Sequence, residues 1–330
     1  MDGDAFDRGT EHVPAVPDHL GRMIPMIRHI LVPLDGSTLA ESVLPAAAAL
    51  AKAFGAGIRL LHVVEEHPPD RIHGEPHLTE GDQAQAYLDE VARRHVFQGL
   101  AVEVHVHPTK QGDVAESVVD HAQEFGADLV VLSTHGKSGL RGFLFGRIAL
   151  RALQRGTTPV LLMNPTTSVA APPFACRTIL VPLDGTPAHE PALPVATTLG
   201  RAWQATLHLE IVVPTAKTLS GHEAAAGVLM PIATRAILDL AERGAEEYVE
   251  RLVQTLKAEG LSASSHVSRG EPASSLVEAA EKVGADLVVM ASHAKGALDA
   301  FWSGSLTPKV VEKLRRPILL VRAASEEADR

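Results

Sequence analysis

Cysteine is almost missing from this chain: among 330 residues there is one, Cys176. An intramolecular disulfide and a thiolate metal cluster are therefore excluded, and a reducing cytoplasm is the expected setting. Positive charge is also scarce. Lys and Arg total 30 against 40 Asp and Glu, giving a formal net charge of −10 and a pI near 5.9. A duplex-binding surface works mainly by neutralising phosphates, so nucleic acid is not an expected partner. Residues 1–26 carry five acids and scattered prolines but no apolar stretch of signal-peptide or membrane-span type, and are expected to form a mobile tail with no membrane partner. Against these absences, 45% apolar and 21% charged residues describe a globular chain long enough for two domains, each with its own core.

What the sequence does contain, it contains twice. Val32-Pro33-Leu34-Asp35-Gly36-Ser37 returns as Val181-Pro182-Leu183-Asp184-Gly185-Thr186, 149 residues later. The run from Ala127 to Gly136, ADLVVLSTHG, returns as ADLVVMASHA from Ala285 to Ala294, 158 residues later. The chain is a tandem duplication of one unit. The halves are placed at 27–164 and 177–323, separated by a Pro-, Thr- and Ala-rich linker at 165–176 and followed by a short tail at 324–330.

Each half alternates β-branched runs with amphipathic stretches. In the first, strands are expected at 28–34, 57–64, 101–107, 128–133 and 159–163, and helices at 38–54, 82–98, 113–125 and 146–155. Ile30-Leu31-Val32 and Leu129-Val130-Val131-Leu132 are apolar on both faces, as strands covered by helices on both sides must be. Helix starts are marked by Ser37 or Thr38 with Glu41, and by Thr186 followed by Pro187. The second half repeats the order with a longer helix from about 231 to 259. Strand, helix, strand, repeated, gives an α/β fold with a parallel sheet in each half.

In such a sheet ligands bind beyond the carboxyl ends of the strands, where the strand order reverses. The repeated words lie at those ends. Asp35, ending the first strand, can accept hydrogen bonds from ribose hydroxyls or an adenine amine, or it can simply orient the Asp-Gly-Ser turn. The loop from Ser133 to Gly142 is glycine-rich and runs toward a helix near Gly146, an arrangement that lets backbone N–H groups face a phosphate. Two stronger motifs are absent. A Walker A loop around Gly136-Lys137-Ser138 would need glycine at Val131, and strand one is followed by the single Gly36 rather than GxGxxG.

The spacing Gly-x2-Gly-x9-Gly-Ser/Thr after the fourth strand, with Asp after the first, resembles the universal stress protein family, and the resemblance covers both halves. It implies two tandem Rossmann-like domains, each a five-stranded parallel sheet of order 3-2-1-4-5 flanked by helices, paired through their fifth strands. It also implies binding of ATP or another adenine nucleotide, with or without Mg²⁺, in members that keep the motif. Carried over, the first-half site comprises Pro33, Leu34, Asp35 and Val63 on the base and ribose side, and Ser133, His135, Gly136, Gly146, Arg147 and Ile148 on the phosphate side. Ser133 replaces the first motif glycine and Arg147 the Ser or Thr. A second site would use Pro182, Asp184, Val212, Gly304, Ser305 and Thr307, with Ala291 and Ala294 in place of both early glycines. Each half departs from the pattern in a different place, and the first is expected to bind better. Arg147 has three readings: a phosphate ligand, a plug, or one of a solvated helix face with Arg151 and Arg155.

The 17 histidines offer one metal-compatible pair, His105 and His107, on one face of strand three. No acid or cysteine stands at a third-ligand spacing, so scattered imidazoles and no metal are expected. The expected function is a cytoplasmic, nucleotide-binding stress-response regulator without committed turnover. A ligand-free interaction scaffold and a slow ATPase are the alternatives, and homodimerisation beyond the internal pair is left open.

Overall fold

The computed structural model describes residues 27–68, 70–72, 75–133, 142–155, 158–164, 174–219, 229–292 and 306–324, a few of them by backbone alone. The expected N-terminal tail, most of the linker and residues 325–330 lie outside the described residues. The first half runs β1 (His29–Pro33), α1 (Thr38–Glu41), α2 (Leu44–Phe54), β2 (Gly57–Glu65), β3 (Arg71–Ile72), β4 (Glu75–Pro76), α3 (Gly81–Ala92), β5 (Val102–Gln111), α4 (Val114–Glu124), β6 (Leu129–Ser133), α5 (Gly142–Arg155) and β7 (Val160–Met163). The second runs β8 (Thr178–Leu183), α6 (Ala192–Trp203), β9 (Thr206–Val213), α7 (Pro231–Ala258), β10 (Ala263–Arg269), α8 (Pro272–Lys282), β11 (Leu287–Ser292), α9 (Leu306–Lys313) and β12 (Ile318–Arg322).

The strand order β10-β9-β8-β11-β12-β7-β6-β1-β2-β5 is one ten-stranded sheet, in which each half has the order 3-2-1-4-5. All pairings are parallel except β12 with β7, where Ile318, Leu319 and Leu320 face Leu162, Leu161 and Val160. The fifth strands join the halves as the family resemblance implied. Because successive side chains alternate between faces, Ile30 and Val32 enter one core layer while Leu31 enters the other, and Val131 and Leu132 divide likewise. Each layer contains residues of both halves, so the cores are continuous across the junction.

Four local departures have physical causes. The expected helix over 38–54 breaks at Ser42 and Val43, because Pro45 sits in the first turn of α2 and its ring cannot continue a preceding helix. Ser37 caps α1, accepting from the Ala40 N–H at 3.1 Å, but no reciprocal bond from Glu41 forms. The Ser37 N–H donates instead to Asp35, and Glu41 binds the Tyr87 hydroxyl at 2.9 Å and the Arg94 guanidinium. Thr186-Pro187 opens a single 3₁₀ turn, with α6 starting at Ala192. The hairpin of β3 and β4 was not foreseen, being too short to show alternation. It folds over the β1–α1 turn: Glu75 accepts from the Thr38 N–H and hydroxyl, and Leu78 lies so close to Gly36 (φ +88°) that a Cβ there would be 2.8 Å from its Cδ1.

The long helix α7 buries Leu238, Val249, Leu252, Val253 and Leu256 but leaves Ile232, Ile237 and Leu240 exposed, with Leu229 exposed just before it. No helix among the described residues is long and apolar enough to cross a membrane.

Leu161 is 2% exposed at the centre of the junction. Leu161→Ala should cost about 2–5 kcal/mol of stability in urea denaturation. Since the sheet and both core layers cross the junction, amides of β6 and β11 should lose hydrogen-exchange protection together in this variant rather than half by half.

Candidate functional site

β1 is flanked by β2 on one side and β6 on the other, so its carboxyl end is where the strand order reverses. Five of the ten residues expected in the first site converge there. Pro33 is in register with Leu61, two residues before Val63, and the Leu34 N–H donates to the Leu61 carbonyl at 2.8 Å. Leu34 and Val63 are buried, while Pro33 and Asp35 are partly open. Ser133 ends β6 and is buried, its hydroxyl 3.2 Å from that of Ser42 in the break between α1 and α2.

Asp35 carries both roles considered for it. Its Oδ1 accepts from the Ser37 N–H at 3.0 Å and the Ser37 hydroxyl at 2.6 Å, which shapes the turn. Its Oδ2 receives no hydrogen bond from any described residue. The Leu34 carbonyl lies 2.8 Å from Nδ1 of buried His62; a carbonyl only accepts, so that nitrogen carries the proton. Burial, partly offset by this bond, pushes the His62 imidazole below its usual value, so it is neutral and pins the backbone beside Asp35. Sequence reasoning missed His62, because the repeat has Ile211 at the same register and offers no signal.

The phosphate side is described less fully. His135 and Gly136 lie outside the described residues, as does the side chain of Arg147. Helix α5 begins at Gly142, earlier than expected, so Gly146 sits within its backbone rather than at its start. Ile148 is 2% exposed and packs in the core, leaving only its backbone for a ligand. The face carrying Arg151 and Arg155 is not simply solvated: Arg151 reaches Asp113 at 3.1 Å, and Arg155 reaches Glu116 at 3.2 Å and Asp120 at 2.6 Å, all on or capping α4.

The second half builds the same turn and then closes it. Asp184 Oδ1 accepts from the Thr186 N–H at 2.9 Å and its hydroxyl at 2.7 Å, but Oδ2 is also paired with His189 Nδ1 at 2.8 Å. Burial pushes the Asp184 carboxyl up, yet the hydrogen bonds from His189 and Thr186 outweigh it and hold it at about 2. Pro182 is buried and Val212 partly so. The Thr307 hydroxyl is buried 2.9 Å from that of Ser292, while Gly304 and Ser305 lie outside the described residues. A cleft of about 680 Å³ lined by Arg28, Lys52, Phe54 and Leu100 opens at the opposite, amino ends of β1 and β2.

A duplicated, doubly wound α/β unit with its strand order reversing at β1 defines the class of Rossmann-like folds. The sequence profile of the Universal stress protein family matches residues 26–164 and again 175–322, and the chain belongs to that family. It is 28% identical over 155 residues to universal stress protein YxiE of Bacillus subtilis, covering 42% of this chain and all of that one. It is 31% identical over 140 residues to Sll1654 of Synechocystis, covering 42% and 86%. A universal stress protein of Archaeoglobus fulgidus superposes with a TM-score of 0.65 at 19% identity, covering 91% of this chain and 97% of that one, which supports the tandem fold.

His189→Ala should raise the Asp184 titration midpoint from about 2 toward the ordinary carboxylate value of about 3.9, read from carboxyl carbon shifts by NMR. A depressed folded value stabilises above the unfolded value and that stability is lost as pH falls through the folded one. The wild type should therefore shed it between about pH 4 and pH 2, and the variant should have less to lose in that window.

Proposed function

We propose that the first half binds an adenine nucleotide at the carboxyl ends of β1 and β6, and that the protein works as a cytoplasmic regulatory module that holds the nucleotide without committed turnover. The observation that carries the reading is the contrast between Asp35 and Asp184. Both spend Oδ1 on their own turn, but Asp35 keeps Oδ2 clear of described partners while His189 takes that of Asp184. A carboxylate oxygen beside a backbone held by His62 suits a ribose hydroxyl or an adenine amine. One solved universal stress protein is a complex with cAMP; for this chain the reading rests on the residues.

Several features of the second half favour its being a scaffold. The second Asp184 oxygen is paired with His189, Thr307 is bonded to Ser292, and Ala294 replaces a motif glycine. A methyl group where backbone must approach phosphate costs on the order of 1 kcal/mol if the residue adopts positive φ. Against enzymatic turnover stands the loop from Ser133 to Ala149, which has no Asp or Glu to hold Mg²⁺ or orient water.

Freshly purified protein, denatured and cleared of polypeptide, should release adenine nucleotide, and calorimetry with ATP, ADP and AMP should give one site per chain. Asp35→Asn keeps the turn acceptor and converts the second oxygen to a donor, so affinity should fall at least about tenfold, or about 1.4 kcal/mol. Asp184→Asn should leave it nearly unchanged. Reversed effects would move the site to the second half, and no binding by either wild type or variant would leave a scaffold. ATP hydrolysis at about 1 per second or faster, within the ordinary enzyme range, would make it an enzyme.

A further inference from the structure

The pair His105 and His107 on β5 gains a third imidazole from an element that spacing could not reveal. His121 projects from α4, and one ligand nitrogen from each of the three rings lies within 4.8 Å of the other two. We propose that His105, His107 and His121 form a binding site for a borderline transition-metal ion, Zn²⁺ being the natural occupant. Imidazole donors suit such ions, and three histidines with an open fourth position is an established zinc geometry.

His107 Nδ1 and His121 Nε2 are 3.3 Å apart. That is close to the spacing of about 3.3 Å that two ligands at about 2.05 Å subtend across a tetrahedral centre. The His105 ring stands beside them, its centroid 5.0 Å from that of His121. The second hydrogen bond of His121 sets its tautomer. Its Nδ1 lies 2.7 Å from the Ser117 carbonyl, which only accepts, so the proton sits on Nδ1 and Nε2 presents a lone pair to the cluster. A ligand histidine held by a backbone carbonyl in this way is the usual supporting arrangement of metal sites. Without metal, the His107 N–H can donate to that lone pair; with metal, His107 moves its proton to the other nitrogen and both rings ligate.

The surroundings fit a cation. Glu124, one turn beyond His121 on α4, acts electrostatically on both strand histidines. The nearby Arg59 guanidinium is paired with Glu103 and stacked 4.1 Å over the Phe125 ring.

The duplication supplies an internal control. Pro33 aligns with Leu61 and Leu61 with His105, while Pro182 aligns with Glu210 and Glu210 with His266. By that register His107 corresponds to Ser268, and by the repeat offset His121 corresponds to Ala279. The fold therefore needs only a small residue at the α4 position, where the first half buries a histidine at 6% exposure. Packing alone does not call for it.

The test is a Zn²⁺ titration of the untagged, metal-stripped full chain against a chromophoric chelator, followed by X-ray absorption of the loaded protein. One equivalent should bind in the micromolar range or tighter, with three imidazole nitrogens at about 2.0–2.1 Å. His121→Ala and His107→Ser, the residues of the other half, should keep the wild-type circular dichroism without metal. Each should weaken Zn²⁺ by more than the about 10- to 100-fold carried by supporting partners of a ligand. His266→Ala should change nothing. His105→Gln provides a third arm should either substitution on α4 or at His107 disturb folding. Absence of a micromolar site in the wild type, or its survival in His121→Ala, would overturn the proposal.

Discussion

Everything in this molecule hangs on the antiparallel pairing of β7 with β12. Each half alone would end in an apolar edge, Val160-Leu161-Leu162 or Ile318-Leu319-Leu320, with unpaired backbone groups open to other chains. Turning the two edges toward each other satisfies both at once and leaves β5 and β10 as the outer strands. It also fixes the direction of the halves: a related pair of edges meets antiparallel when a two-fold relates them. The continuity of both core layers follows, because helices packed on either face meet their counterparts across the seam.

Duplication separates what the fold requires from what one half has added. Asp128 accepts the Arg28 and His29 N–H groups at the start of β1, and Asp286 accepts those of Arg177 and Thr178 at the start of β8. Tyr87 binds Glu41 and Tyr248 binds Glu190, each at 2.9 Å, tying the segment after the first strand of each half to α3 or α7. These repeated contacts are architecture. His62, His107 and His121 in the first half, and His189 in the second, have no such counterpart, and they cluster about the carboxylate turn and the outer strand.

Much of the fold was legible because its signals are local. Leu129-Val130-Val131-Leu132 reads as a strand covered on both faces, and Ser37 or Thr38 marks a helix start whatever packs against it. Helix 38–54 was misjudged in one detail, its break before Pro45, because apolar periodicity runs through the proline while the backbone hydrogen bonds do not. The base-side residues of the candidate site were legible through the repeat. Its neighbours were not: the hairpin that covers Gly36 arrives from residues 71–78, and Tyr87 reaches Glu41 across 46 positions.

By itself the sequence determined a duplicated α/β chain, the order of the main strands and helices, and the position of Asp35 and Asp184 at the ends of their first strands. These follow from periodicity and turn chemistry within a few residues. Only the tertiary structure decided that the second Asp184 oxygen is spent on His189 while that of Asp35 meets no described partner, and that His121 closes on His105 and His107. Each depends on a helix or 3₁₀ turn docking against a strand in one rotation, and that rotation is set by which side chains fill the core beneath, not by spacing along the chain.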